Sequence, residues 1–552
     1  MELDTSETNL VIWTKKHRTF LFCKLYWRSI IIVITPILLL PIALIGENQA
    51  YPSFFVFLVT GVYWIADVLP PAAISLVSLA CYGVMGTGYI QQVYMCNEVL
   101  DCLGVMMLMA AVENSQVHKR AALRLLITIG CSHYRLSLVL FFSAMFLSMW
   151  IPNTVACGLL MPLVKALLQE LEKMGIVDMY QTIEKTEQRS QKHELSRPRP
   201  TDFTVFYFLG ITYSCSIGGM ATLHGSQANQ IFKEYSELLF PKLGKITFPQ
   251  FMLLTLPGVL VTETMLYIWM NSFFLKIFRS SDVAIPTGLT EEEARYIKTQ
   301  LRNQYNQLGT IKFHDIVVAT AVLLAVALQM FTSSLRLATG PERDVNMHIK
   351  VSAPTIFCVL LLFIIPSDLE FLKFFKKRNN SMHRRLPTAP SKACLNWTIV
   401  RDNIMWGVLF TVGGSCVSFE ALKRSGMTAE FGKFLHLLYN WPSPVLALVV
   451  ILFGKVLTEF ASNSCVVYAV LPEIAGLSIK SFTHPHYLML AATLASSMSA
   501  HLAPSTPSLA MVSQYVHIST WRMMSAGVGP SVITVIVTWF TVTLWSKIII
   551  LD

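Results

Sequence analysis

The sequence predicts an all-α, polytopic membrane protein with about eleven transmembrane helices plus two re-entrant hairpins. Three observations carry that expectation. The chain is 54% hydrophobic and only 14% charged over 552 residues, more apolar surface than a soluble core absorbs. Apolar stretches long enough to cross a hydrocarbon layer of roughly 30 Å recur throughout, clearest at Ser29 to Gly46, Ser53 to Leu69, Phe313 to Phe331, Val351 to Pro366 and Pro530 to Trp545. Two short polar clusters also repeat inside apolar sequence, Ser148-Met-Trp-Ile-Pro152-Asn153-Thr154 and Thr458-Glu-Phe-Ala-Ser462-Asn463-Ser464. In each, a hydroxyl residue stands five positions before the Asn and a proline, Pro162 or Pro472, nine positions after it, so the chain reads as two related halves.

Residues 1–28 read as a cytoplasmic amino terminus, because Lys15, Lys16, Arg18, Lys24 and Arg28 precede the first span. With acidic and basic residues mixed in a polar start, neither a cleavable signal peptide nor a mitochondrial presequence is expected, and the first span serves as the targeting signal. The first half covers 29–278, with a re-entrant hairpin around 136–165 and an unwound helix around 214–229. A cytoplasmic loop at 279–312 leads into the second half, 313–552, which holds a cytoplasmic loop around 367–402, a hairpin around 443–478 and an unwound helix around 500–510. Both loops, and the stretch from about Glu170 to Pro200, are rich in Lys and Arg, whereas Glu47 to Pro52 has neither. The charge rule therefore places all three inside, and an odd number of spans places the carboxyl terminus outside.

Neither long loop reads as a folded domain. The segment from Gln181 ends Arg-Pro-Arg-Pro and suits an irregular linker. Gly288-Leu-Thr-Glu-Glu-Glu-Ala-Arg-Tyr-Ile-Lys has a capping hydroxyl followed by acidic residues, which predicts a short surface helix. The sequons at Asn379 and Asn396 fall on the inner side and are expected to be unmodified. The net charge of +10 is accounted for by topology, with lipid head groups near Lys373, Lys376, Lys377 and Arg378 as the alternative partner. No nucleic-acid module is visible. The eleven cysteines are scattered without paired metal-ligand spacing and read as small hydrophobes. Neither His-Glu-x-x-His nor Gly-x-Ser-x-Gly occurs, which argues against an intramembrane hydrolase.

Polar punctuation also follows each hairpin. Ser214-Cys-Ser-Ile-Gly218-Gly219-Met-Ala-Thr222-Leu-His224-Gly225-Ser226-Gln-Ala-Asn229 and His501-Leu-Ala-Pro504-Ser505-Thr506-Pro507-Ser508 interrupt what would be continuous helices. Irregular backbone at membrane depth is tolerated where protein or a water-filled cavity satisfies it. Broken helices expose carbonyls that replace the hydration shell of sodium, and their amino termini attract anions. A solute site between the repeats follows.

In this order the segments resemble the divalent-anion:sodium symporter family, the carboxylate and sulfate cotransporters, over nearly the whole chain. Tyr63-Trp64-Ile-Ala-Asp67-Val-Leu-Pro70 is similar to the family's Trp-x-x-Glu-x-x-Pro segment with Asp67 in place of Glu. His118-Lys119-Arg120-Ala-Ala-Leu123-Arg124 resembles its basic segment before the first hairpin, and Ser216-Ile-Gly218-Gly219 with Thr222-Leu-x-Gly225 its first unwound region. The resemblance implies a homodimer built as an inverted repeat, with a scaffold and elevator-type transport domains, sodium as coupling ion and no other cofactor. It also implies the site residues. One sodium is expected at Ser148, Asn153 and Gly225, and another at Thr458, Ala461, Asn463, Ser505 and Thr506. The anion is expected to meet Asn153, Thr154, Ser226, Ser462, Asn463, Ser464 and Pro507.

The chain departs from the family pattern at the tips. Pro152 replaces the first motif's Ser and removes a hydroxyl and an N–H donor. Ser464 replaces Thr, and Leu509 stands where an amide is usual. His224 reads as a neutral, hydrogen-bonded residue or a proton carrier. Lys455 and Glu459, four apart, read as a structural pair or a gate. Asp67 and Glu113 read as packing anchors. The reading that results is a secondary-active plasma-membrane transporter of small divalent organic anions, dicarboxylates such as succinate ahead of citrate or sulfate. A sodium-independent exchanger and a non-transporting anion sensor on the same fold are the alternatives.

Overall fold

The computed structural model describes residues 15–45, 48–86, 93–181, 198–243, 245–275, 291–339, 352–374, 389–546 and 548. Among them β structure is confined to two isolated bridges, Tyr180–Pro200 and Pro366–Ala393. The helices of the first half are α1 (Lys15–Ala43), α2 (Ala50–Ala66), α3 (Pro71–Val84), α4 (Asn97–Asn114), α5 (Val117–Ile129), α6 (His133–Ser148), α7 (Asn153–Lys173), α8 (Asp202–Gly219), α9 (Gln227–Leu239) and α10 (Phe248–Leu275). The chain continues through α11 (Glu291–Gln307), α12 (Phe313–Thr339), α13 (Ala353–Ile364), α14 (Trp397–Asn403), α15 (Trp406–Arg424) and α16 (Met427–His436). It ends with α17 (Ser443–Thr458), α18 (Asn463–Lys480), α19 (Pro485–Ser496), α20 (Pro507–Tyr515) and α21 (Thr520–Phe540).

The fold is all-α, with several apolar helices, as expected of a membrane protein. Five described helices are long and apolar enough to cross a membrane alone, or six when α14 and α15, bent by 67° at their junction, count as one. The remaining apolar sequence is cut into shorter helices, among them α2, α3, α6, α13 and α17, because polar turns interrupt it. The short surface helix expected after Gly288 is longer than anticipated. It runs over the whole of α11, and Arg120 on α5 donates to the carbonyls of Leu308, Gly309 and Thr310 just beyond its end, at 2.9 to 3.2 Å. Residues 182–197, 276–290 and 375–388, which hold most of the linker, the start of the 279–312 loop and the Arg384-Arg385 pair, lie outside the described residues.

The two halves repeat in detail. Each polar cluster separates two helices, α6 from α7 and α17 from α18, and the residue before each second helix has nearly the same backbone, φ −52° and ψ 139° at Pro152 against φ −54° and ψ 138° at Ser462. Each first arm packs on the helix that ends in a break, α6 on α8 and α17 on α19. Beyond the breaks the halves cross over. Helix α9 packs on α18 of the other half, and α20 on α7.

The first unwound segment is shorter than expected. Helix α8 continues through Gly218 and Gly219, and the break occupies 220–226. Gly218 serves close packing instead: a Cβ there would stand 2.1 Å from the Met145 carbonyl oxygen. In the second half the break is longer, running over 497–506 around a short 3₁₀ turn at Ala503–Ser505.

Candidate functional site

Four helix amino termini converge on one cleft of about 450 Å³ of empty space, open solvent included. Pro152, Asn153 and Thr154 open α7, Ser226 to Ala228 open α9, Ser462 to Ser464 open α18, and Thr506 and Pro507 open α20. All seven residues expected to meet the anion therefore line a single cleft. Side chains cap two of these termini, Ser226 Oγ accepting from Ala228 N at 3.3 Å and Thr506 Oγ1 from Leu509 N at 3.4 Å. Each terminus carries roughly half a positive charge, so four sum to about two, the charge of a dianion.

The residues expected around sodium are split between the cleft and the layer behind it. Asn153, Asn463 and Thr506 line the cleft, while Ser148, Gly225, Thr458, Ala461 and Ser505 are not among its lining residues. At the first tip Ser148 is fully buried, and its hydroxyl has no hydrogen-bond partner among the described residues. Gly225 lies against it so closely that a Cβ would come within 2.6 Å of the Ser148 carbonyl oxygen. The break there is held by Thr222, which donates to the Met149 carbonyl, and by Asn229, whose Nδ2 donates to the carbonyls of Gly219 at 3.0 Å and Thr222 at 2.7 Å.

The second tip is tied more tightly. Thr458 Oγ1 lies 2.8 Å from both Asn463 Oδ1 and the Ser496 carbonyl, and Asn463 Nδ2 donates to the Ser497 carbonyl at 2.8 Å. Lys455 donates to the next carbonyl, Met498, and pairs with Glu459 at 3.3 Å. Glu459 in turn accepts from the backbone of Ala500 at 3.2 Å and His501 at 2.9 Å, with the His501 ring 3.0 Å away. The Lys455–Glu459 pair is thus a brace between the second hairpin and the second break. Tyr213 of α8 reaches the same break, donating to the Ala500 carbonyl at 2.9 Å. Ser499 Oγ, within it, is buried without a partner among the described residues.

His224 points away from the cleft, its Nε2 2.9 Å from Ser334 Oγ and its ring against Phe248, as a hydrogen-bonded packing residue does. Glu113 anchors Lys165 at 3.1 Å and accepts from Tyr515, while Asp67 ends α2 in the left-handed region at φ 49°. Sequence reasoning missed Glu98 and Asp101, which bring two carboxylates from the first turns of α4 into the cleft wall. Ser464 donates to Glu98, and Asp101 accepts from Thr355 at 3.3 Å and Gln329 at 3.4 Å. Two acidic residues three apart at the head of an apolar run were the available signal.

Residues 23–551 match the family model described as the sodium:sulfate symporter transmembrane region. The chain is 31% identical over 535 residues to the fruit-fly (Drosophila melanogaster) protein I'm not dead yet, covering 95% of this chain and 89% of the relative. It is 26% identical over 548 residues to the Na(+)/citrate cotransporter of Rattus norvegicus, covering 94% of each. To the Na(+)/dicarboxylate cotransporter 3 of Homo sapiens it is 24% identical, over 95% of this chain and 92% of that one.

Proposed function

The chain belongs to the sodium:sulfate symporter family, and on that premise we propose that it carries small divalent organic anions, dicarboxylates such as succinate ahead of citrate or sulfate, through the cleft between its two tips. The family is one of sodium-coupled transporters rather than enzymes, and the protein is a multi-pass membrane transporter of this kind. The observation that supports the substrate class is the convergence of four helix amino termini on one cleft whose lining is rich in hydroxyls and amides, with the carboxylates of Glu98 and Asp101 at its wall. A dicarboxylate has four oxygens to share among such donors, and the helix termini supply the opposing partial charge.

Sodium is the coupling ion in this reading. It sits behind the first tip, where Ser148 Oγ, Asn153 and the backbone around Gly225 offer oxygens, and the hydroxyl that is buried and unengaged among the described residues supports that position. The second set, Thr458, Ala461, Asn463, Ser505 and Thr506, holds the equivalent place for a cation behind the other tip. Hairpins and broken helices move together as transport domains against a scaffold in each subunit of a homodimer, in the plasma membrane. Exchange without sodium is the second reading, favoured by the Lys455–Glu459 pair at the second tip.

Uptake of labelled succinate, citrate and sulfate into proteoliposomes, each with and without a sodium gradient, tests both readings. Saturable succinate uptake that needs sodium is the expected result. Absence of saturable uptake for all three anions overturns the proposal.

A further inference from the structure

The two tips are alike in backbone and unlike in charge. Lys455 stands three residues before Thr458 as Met145 stands three before Ser148, and Glu459 follows Thr458 as Met149 follows Ser148. An ion pair in the second half therefore occupies the places of two methionines in the first. The consequence falls on three consecutive carbonyls at the end of α19, Ser496, Ser497 and Met498, which accept from Thr458, Asn463 and Lys455 respectively. The last of the three donors is an ammonium.

A helix carboxyl terminus carries partial negative charge and attracts a cation. In a broken helix that cation is commonly a sodium ion ligated by the freed carbonyls. Here the Lys455 Nζ already takes one of them, with three donors and a full charge of its own. Glu459 holds it in place and is itself fixed by Ala500, His501 and the His501 ring. Both side chains are nearly buried, 7% exposed for Lys455 and 11% for Glu459, so the ammonium cannot retreat to water without moving the hairpin. The first half offers the opposite condition. Its matching residues are apolar, and Ser148 Oγ is buried with no partner among the described residues.

We infer that Lys455 supplies, as a fixed ammonium, the cation at the second tip, so that this chain binds sodium behind its first tip alone. The cation that accompanies the anion would then be part transported ion and part protein. Relative to a site holding sodium at both tips, one fewer sodium ion accompanies each anion and the cycle depends less steeply on sodium. The inference rests on the proposed sodium site behind the first tip: a wild type that binds no sodium overturns that site and the inference with it, whereas one that binds two overturns the inference alone.

The test is equilibrium binding of radiolabelled sodium to the purified protein in detergent, which is independent of whether it transports. The wild type is expected to bind one sodium ion per chain, and Ser148→Ala to abolish most of that binding. Lys455→Met is expected to bind a second sodium ion, and Lys455→Arg to stay at one. If Lys455→Met fails to fold because Glu459 is left unpaired, the double variant Lys455→Met, Glu459→Met reproduces the first tip's apolar pair and is expected to gain the second ion as well. Two sodium ions on the wild type overturn the inference. So does a folded Lys455→Met or double variant that gains none. In proteoliposomes the sodium dependence of uptake is expected to be hyperbolic for the wild type and sigmoidal for Lys455→Met.

Discussion

Ser464 donates its hydroxyl to the carboxylate of Glu98, joining the tip of the second hairpin to a helix 366 residues earlier in the chain. The contact places a carboxylate, beside that of Asp101, in the wall of a cleft on which four helix amino termini converge. For a carboxylate bound about 5 Å away, the repulsion is roughly 3 kcal/mol at an effective dielectric of about 20. On the proposed reading Glu98 is expected to limit how tightly a dianion binds, and Ser464, while it donates to Glu98, has no proton left for the substrate.

Glu98→Gln keeps the shape and an acceptor for Ser464 while removing the charge. The expected outcome is a half-saturating succinate concentration lowered about tenfold, equivalent to about 1.4 kcal/mol. Uptake curves at fixed sodium read it directly. An unchanged or higher half-saturating concentration would show that Glu98 does not oppose the anion.

Asn153→Ala and Asn463→Ala are expected to impair uptake strongly at equal surface expression, but they differ in stability. Asn463 Nδ2 donates to the buried Ser497 carbonyl, and its Oδ1 shares the one Thr458 hydroxyl proton with the Ser496 carbonyl, so leaving the Ser497 carbonyl unpaired costs about 1 to 3 kcal/mol. Asn153 has the Thr154 hydroxyl at 3.4 Å as a side-chain neighbour, so its removal is expected to leave thermal stability within about 1 kcal/mol of wild type. Melting temperatures of the two purified variants, measured beside uptake, separate the roles. Equal melting shifts would contradict the asymmetry, and wild-type uptake in both would contradict a site between the tips.

Much of this site was legible because polar residues are conspicuous in apolar sequence. The Asn153 and Asn463 clusters, five residues from their hydroxyls and nine from their prolines, mark the ends of four helices in the structure. Other features were ambiguous on physical grounds. Gly218 and Gly219 serve equally as a helix break or as a place for close helix contact, and only the Met145 carbonyl against Gly218 decides between them. Lys455 and Glu459 at helical spacing predict a pair, but not that the ammonium reaches a carbonyl 43 residues away. Glu98 and Asp101 entered the cleft by tertiary packing alone, since no local pattern relates α4 to either tip.

The distribution of Lys and Arg predicts that the loop containing Arg384 and Arg385 faces the cytoplasm. An epitope inserted there is expected to be inaccessible to antibody on intact cells and accessible after permeabilisation. Labelling of intact cells would reverse the orientation of both hairpins and place the cytoplasmic loops outside.

Pro152 and Ser462 hold equivalent places with nearly identical backbone angles, so the first tip has a shape that serine also adopts. Proline suits it because its ring fixes φ near −65°, and the hydroxyl given up is the one Ser462 uses at the second tip, 3.1 Å from Ser464 Oγ. Pro152→Ser is therefore expected to be accommodated without a change of fold and to add a donor to the cleft beside Asn153. One recovered hydrogen bond to a charged ligand is worth roughly 1.5 to 3 kcal/mol, a gain in carboxylate affinity of about tenfold to a hundredfold. Against it stands the loss of a rigid residue, which frees the unfolded chain and costs about 0.4 to 1 kcal/mol of stability. The two effects act on different equilibria, so affinity is expected to rise while the melting temperature falls slightly. Side-by-side uptake curves and melting curves for wild type and Pro152→Ser check both signs. Unchanged or weaker affinity for succinate, citrate and sulfate alike would show that the rigidity of the tip matters more to the anion than the hydroxyl it lacks.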